Sequence, residues 1–290
     1  MMKKVSVCII AYNHEGFIAE CIESIVSQKA DFDFEVIIGE DKSTDNTLLI
    51  CKEYQEKYPE MIRVIERESN VGMLANWFDT IKEAKTEYLA LCEGDDYWID
   101  KYKLQKSFEI LKNNPKYSIV TSNVVELSNN SDFKKYDWRW DKKRNVFKFE
   151  DYLYQLFFHT STVMFKKVSL PDFLYNKELI QADIPLFLLI LLKGDLYHLN
   201  EFTSVYRRHE GGITNSVQNK NDLKKIKSIK VICENINRYS DYKYSKYFYL
   251  KNKIELYIYK YNKTKQNRFK ITYRFFKLLF LINLMFKKNV

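Results

Sequence analysis

The sequence predicts an α/β protein, with a mostly parallel sheet between layers of helices and a helical tail at the C-terminus. Three observations predict it. Short apolar runs of strand character alternate with segments of helical periodicity through the first hundred residues. The turns at 11–15, 40–45 and 92–96 all follow strand C-termini, so they share the edge where open α/β sheets bind ligands. Of 290 residues, 46% are apolar and only 7 are Gly and 4 Pro, so the chain can bury a large core and has no room for long flexible linkers.

Lys4–Ala11 reads as a buried strand, since Val5, Val7, Cys8, Ile9 and Ile10 are nearly continuous. Tyr12-Asn13-His14-Glu15-Gly16 is a turn, and Phe17, Ile18, Cys21, Ile22, Ile25 and Val26 recur at helical spacing. Phe34–Gly39 is a second strand. Ser43, Thr44 or Asp45 can cap the helix after it, and Pro59 stops that helix. Ile62–Ile65 is a third strand, Asn70-Val71-Gly72 a turn, Met73–Lys85 a helix and Tyr88–Leu91 a fourth strand. Farther on, Asp100–Asn113 is expected to be helical, Tyr117–Val125 extended and 126–150 a surface loop or flap. A short helix is expected over Asp151–Phe158 and an extended segment over His159–Phe165. Glu178–Lys193 reads as mostly helical, Asp195–Leu199 and Phe202–Tyr206 as two strands, and the chain beyond about Asn221 as helices.

The densest chemistry is in Glu93-Gly94-Asp95-Asp96-Tyr97-Trp98. Three carboxylates in four positions repel, and a fold keeps them where something cationic offsets the charge. Mg²⁺ and Mn²⁺ prefer such oxygen ligands and commonly share them with substrate phosphates. A solvated acidic turn is the plainer alternative. Neither G-x-G-x-x-G nor G-x-x-x-x-G-K-[ST] follows any strand, which argues against a dehydrogenase or a P-loop hydrolase.

Charge divides the chain. Residues 220–290 hold 19 Lys+Arg against 4 Asp+Glu, whereas the rest is mildly acidic. A basic tail implies a polyanionic partner. No nucleic-acid-binding motif is present, so nucleic acid is not expected. Arg268–Lys288 mixes Phe, Ile and Leu with Arg and Lys and suits an anionic membrane surface better. Five scattered cysteines without CxxC spacing read as reduced core residues. No segment reads as a signal peptide or a membrane span. The expected location is therefore cytoplasmic, peripheral on the inner face of the cell membrane.

With these pieces in order, residues 4–212 resemble a glycosyltransferase of the GT-A fold in the large inverting family 2, of the bacterial surface-polysaccharide type. Val5–Asn13 is similar to the family's first strand and donor loop. Glu40–Thr47 resembles its second-strand acidic motif. Asn70-Val71-Gly72 with Asn76, and then Glu93–Trp98, complete the donor half. The resemblance implies a GT-A sandwich over residues 1–219, and charge and residue pattern set off a basic, aromatic-rich helical C-terminal region over 220–290. It implies that Ala11, Tyr12 and Asn13 line the base and ribose of a nucleotide sugar and that Asp41 hydrogen-bonds the base. Asn70 and Gly72 would let the chain pass close to that base. Asp95 would contact ribose or sugar, and Asp96 and His209 would hold Mn²⁺ or Mg²⁺. Asp183 would be the catalytic base. Two departures stand out: Glu93 replaces a frequent Asp, and Ala182-Asp183 replaces a pair of acids. Asp41 and Asp183 could instead serve as helix-terminal carboxylates. Trp98 and the 137–141 cluster could stack on sugars or simply pack.

The expected activity is transfer of a sugar from a nucleoside diphosphate, UDP-linked because a carboxylate accepting from a ring N–H reads a uracil or thymine edge. The expected acceptor is a hydroxyl of a glycan or lipid-linked glycan. A sugar nucleotidyltransferase is the rival enzyme, but Ala11–Gly16 lacks the Gly-rich cationic loop it would use. A non-catalytic nucleotide- or nucleic-acid-binding module is the rival without chemistry.

Overall fold

The computed structural model describes residues 3–128, 132–137, 139, 141–155, 158–212 and 222–287. Strands β1 (Val5–Ala11), β2 (Phe34–Glu40), β3 (Ile62–Glu66) and β4 (Tyr88–Glu93) lie parallel in the order β3-β2-β1-β4. Helices α1 (Ile18–Val26), α2 (Thr47–Lys57) and α3 (Met73–Glu83) make the crossovers. Beyond β4, β9 (Met164–Lys166) runs antiparallel, and β6 (Tyr117–Ser128) and β10 (Asp195–Arg208) then resume the original direction. The two-residue strand β5 (Tyr97–Trp98) closes that side against β10.

Alternation along the buried strands builds two cores. Val7 and Ile9 point to the side of α1 and of α4 (Lys103–Asn113), among Ile18, Ile22, Ile25, Leu104 and Phe108. Cys8, Leu89 and Leu91 point to the other side, among Trp77, Phe78 and Ile81 of α3 and the apolar helix α6 (Asp183–Leu191). The second core does not end at residue 219. It includes Ile232 and Ile236 of α7 (Asp222–Tyr239), Phe248 and Ile254 of α8 (Ser245–Thr264), and Phe280 and Leu284 of α9 (Asn267–Lys287). Helix α5 (Phe149–Tyr154) mediates: Phe149 stacks on Tyr244 at 4.1 Å, and Tyr154 meets Phe280 at 5.4 Å. All five cysteines are buried free thiols.

Several expected elements differ. The stretch 126–150 is not an open flap: β6 runs on to Ser128, β7 (Phe133–Tyr136) pairs with it, and β8 (Val146–Phe147) pairs with β10. Arg139 is buried there and donates to Asp137, Asn145 and Asn200. Trp138 and Trp140 lie outside the described residues. The helix expected over Asp151–Phe158 begins two residues earlier and ends at Tyr154. A 3₁₀ turn, Thr160–Thr162, interrupts the expected extended segment before β9. α6 begins at Asp183, not at Glu178, because an earlier start would drive the Pro185 ring into the carbonyl of residue 181. The two expected strands after α6 are one strand, β10, with register shifts between Leu199, Phe202 and Ser204.

Among the described residues Lys103 is the most deeply buried cation. Its Nζ donates to the Thr162 carbonyl at 2.8 Å and lies 4.8 Å over the Trp98 ring. Burial pulls its pKa from the ordinary 10.5 down to about 7. The folded state then binds fewer protons than the unfolded one between those values, so stability rises with pH across that window. This group should add about 1.4 kcal/mol per pH unit there. Lys103→Met removes the charge and keeps the length, and it should flatten the slope while stabilising the protein at neutral pH. Urea melts at the two ends of the window measure this; an unchanged slope would show that Lys103 is not its source.

Candidate active site

The C-terminal ends of β1, β2 and β4 converge, with Ala11 in register with Glu40 and Ile10 with Glu93. The loops leaving β1 and β2 are clasped together. Asn13, at φ 55°, accepts from Thr44 N–H at 2.8 Å through Oδ1, and its own N–H donates to Ser43 Oγ. His14 N–H donates to Thr47 Oγ1 at 2.7 Å, and Glu15 Oε2 accepts from the backbone and side chain of Asn46. Ala11 is buried within this edge, whereas Tyr12 stands 43% exposed beside it.

Asp41 does not cap α2. Its two oxygens accept Val71 N–H at 2.8 Å and Gly72 N–H at 2.9 Å, so it fixes the turn before α3. Asn70 Oδ1 also accepts from Gly72 N–H. Gly72 sits at φ 84°, where a side chain would be strained. Ala11 thus ends β1, and Tyr12, Asn13, Asp41, Asn70 and Gly72 belong to three loops joined by hydrogen bonds on the same sheet edge. Burial raises the Asp41 pKa against the lowering effect of its two N–H donors.

The acidic turn leaves β4 next to them. Gly94 is required: a Cβ there would lie 2.8 Å from His14 Nδ1 and 3.0 Å from the Ile10 carbonyl. The three carboxylates then separate by environment. Asp95 Oδ2 takes a 3.0 Å contact from His209 Nε2 and lies 4.0 Å from His14 Nε2. Burial works to raise its pKa, but the His209 hydrogen bond and both imidazoles bring it below the usual range. Asp96 is buried, and its Oδ1 accepts Arg207 N–H at 2.9 Å. Burial first, then the charges of Asp95 and Glu93, push the Asp96 pKa well above the ordinary value. Burial and Asp95 likewise push Glu93 up to about 8, and the charge of Asp183 adds to this. Asp183, the first residue of α6, thus lies within the electric field of the acidic turn although ninety residues separate them. Its own pKa is raised by burial, with a backbone N–H bond opposing.

Glu93 Oε2 and Asp96 Oδ2 are closed to solvent and have no hydrogen-bond partner among the described residues. His159, on the turn before β9, completes a group with them: ligand atoms of Glu93, Asp96 and His159 all lie within 4.8 Å of one another. An ion bound at about 2.1 Å spans about 4.2 Å between opposite donors, so this set fits a divalent cation after a slight closing. His159 stacks on Tyr206 at 4.2 Å, and burial holds its pKa down to about 4, so the imidazole is neutral and able to ligate. His209 faces Asp95, while Asp96 faces Glu93 and His159.

Arg207 supports the turn from behind. Its guanidinium donates to the Asp95 carbonyl at 2.7 Å, pairs with Glu20, and lies 4.3 Å over Tyr97. Neither His159 nor Arg207 stands out as a site residue in the sequence. His159 is a lone histidine before Thr-Ser-Thr, and only the antiparallel pairing of β9 with β4 brings it to Asp96. Trp98 is buried, with its indole N–H on the Ser161 carbonyl at 2.9 Å, so it packs.

The profile of glycosyl transferase family 2 matches residues 6–172. The chain belongs to glycosyltransferase family 2. An uncharacterized protein of Mycobacterium tuberculosis is 35% identical over 216 residues, which cover 73% of this chain. The match covers 60% of that relative, so the chain spans less than two thirds of its length. Among solved structures, residues 1–349 of TarS from S. aureus, in complex with UDP-GlcNAc, superpose with a TM-score of 0.55 at 19% identity, covering 88% of this chain and 80% of that one. The mannosyltransferase PcManGT from Pyrobaculum calidifontis, in complex with GDP-Man and Mn²⁺, gives a TM-score of 0.56 at 15% identity, covering 88% and 72%. This family 2 domain has the GT-A fold.

Proposed function

We propose that this chain is a metal-dependent, inverting glycosyltransferase that moves a sugar from a UDP-linked donor to a hydroxyl of a glycan or lipid-linked glycan. The observation that carries the reading is the set of Glu93, Asp96 and His159 ligand atoms within 4.8 Å, with the charge of Asp183 acting on Glu93 of that set. The bound UDP-GlcNAc of TarS and the GDP-Man and Mn²⁺ of PcManGT support the ligand classes.

In this reading Ala11, Tyr12 and Asn13 line the base and ribose. Each carboxylate oxygen has two lone pairs, so Asp41 can hold the 71–72 turn and still accept from a uracil N–H. Asp95, oriented by His209, contacts the ribose or sugar. Asp96 holds the ion with Glu93 and His159, and His209 is the further candidate. A bound Mn²⁺ or Mg²⁺ supplies neutralising charge for the diphosphate leaving group. Asp183 takes the proton from the acceptor hydroxyl as its oxygen bonds to the anomeric carbon. The bond from that carbon to the phosphate oxygen breaks on the opposite face, and its electrons leave with the diphosphate. One displacement inverts the centre. Burial makes Asp183 a stronger base than a free carboxylate.

A thermal-shift screen of UDP-, GDP-, TDP- and CMP-sugars with Mn²⁺ tests the reading. Saturation at about 100 times Kd should stabilise the fold by about 2.7 kcal/mol. A UDP-sugar should do this with Mn²⁺ and much less without it; no shift with any nucleotide sugar would overturn the proposal. Arg207→Met offers a finer check, because the support of a ligating residue typically matters 10–100-fold in metal affinity. Mn²⁺ titration should show a loss of about that size, and an unchanged Mn²⁺ affinity would show that the turn holds its shape unaided.

A further inference from the structure

We infer that the outward face of α9 docks on an anionic lipid bilayer. This helix carries two apolar faces. Phe280 and Leu284 are buried in the core, with Phe276 against it. On the opposite side Ile271, Phe275, Leu278 and Met285 are 54–68% exposed. They recur at i, i+4, i+7 and i+14, which sets them in one stripe along the helix, and half-buried Ile282 falls on the same line. A continuous exposed stripe of large apolar side chains marks an interaction surface, because a helix that only faces water gains nothing from it.

Charge decides what covers the stripe. Exposed Arg268, Arg274 and Lys277 flank it, and no Asp or Glu occurs between Asn267 and Lys287. A second copy seated on this face would set cations against cations. An anionic headgroup layer answers both features: the apolar stripe enters the acyl boundary and the flanking cations meet the lipid phosphates. No helix among the described residues is long and apolar enough to cross a membrane, so α9 lies along the surface. The inference stands apart from the proposed reaction, since α9 contributes none of the residues assigned to it.

Flotation of the 290-residue chain with phosphatidylcholine vesicles, with and without one-third phosphatidylglycerol, tests this. Binding should appear only with phosphatidylglycerol and weaken in high salt. Arg274→Ala with Lys277→Ala should lower the partition coefficient about 25-fold, about fivefold per cation. Ile271→Ser, Phe275→Ser and Leu278→Ser together should abolish binding while leaving the melting temperature unchanged, because these side chains are exposed. Equal binding to both vesicles, binding to neither, or variants that bind like the parent would overturn the proposal. So would a dimer in sedimentation equilibrium that the serine variant dissolves, which would assign the stripe to a second copy.

Discussion

Asp96→Asn is expected to abolish sugar transfer and the Mn²⁺ dependence of UDP binding together. Asn keeps the oxygen that accepts Arg207 N–H, so the β4 turn stays tied to β10. What it removes is the negative charge beside Glu93 and His159. A bound metal contributes several kcal/mol to stabilising the leaving group, so turnover should fall by about 10³-fold or more. Stability should not fall with it. The Asp96 pKa is raised by burial and by its neighbours, which means the folded protein resists that charge. Neutralising it should leave the melting temperature level or slightly higher. Asp96→Ala should lose activity equally but also the Arg207 contact, and it should melt earlier. A folded Asp96→Asn protein that still turns over and binds UDP equally with and without Mn²⁺ would reduce the acidic turn to a structural element.

Asp183→Asn should give the complementary result. In the proposed reaction Asp183 acts only when an acceptor hydroxyl is in place, so UDP-sugar affinity should hardly change. Loss of a general base should lower kcat by about 10²–10⁴-fold. The competing account is that Asp183 merely complements the N-terminus of α6. Asn would then cost a few tenths of a kcal/mol of stability and nothing in rate. Near-normal turnover would move the base elsewhere, and Asp172 and Asp195 would be the next carboxylates to test.

What the sequence made legible follows the range of the interactions. β1 to β4 and the helices between them are announced by local patterns: β1, β2 and β4 are buried apolar runs, α1 and α3 have apolar stripes, and α2 lies between capping residues and Pro59. Ala11, Asp41 and Asp96 could be placed on one edge because parallel topology brings the ends of β1, β2 and β4 together. β5, β7 and β8 are two to four residues long, and distant partners define them, so no local signal marks them. His159 was invisible for the same reason. His209 was legible as a site residue, but its partner was not: only the path of β10 shows that its imidazole meets Asp95. In the tail, composition gave helices and charge. It could not divide the apolar residues of α9 between the core and the outside, since the two faces interleave in sequence.

The long strand β10 sets a limit on how this protein can be cut or recombined. The family profile ends at residue 172, ahead of both α6 and β10. A fragment ending there would strip one side of β6, a twelve-residue strand that is buried almost throughout. Its bare N–H and C=O groups would template pairing with other chains, so aggregation is the expected fate of such a fragment. The cut would also remove Arg207, whose backbone and guanidinium both hold the acidic turn. Chimeras that exchange donor preference between relatives should therefore carry the segment through Arg208 as one cassette.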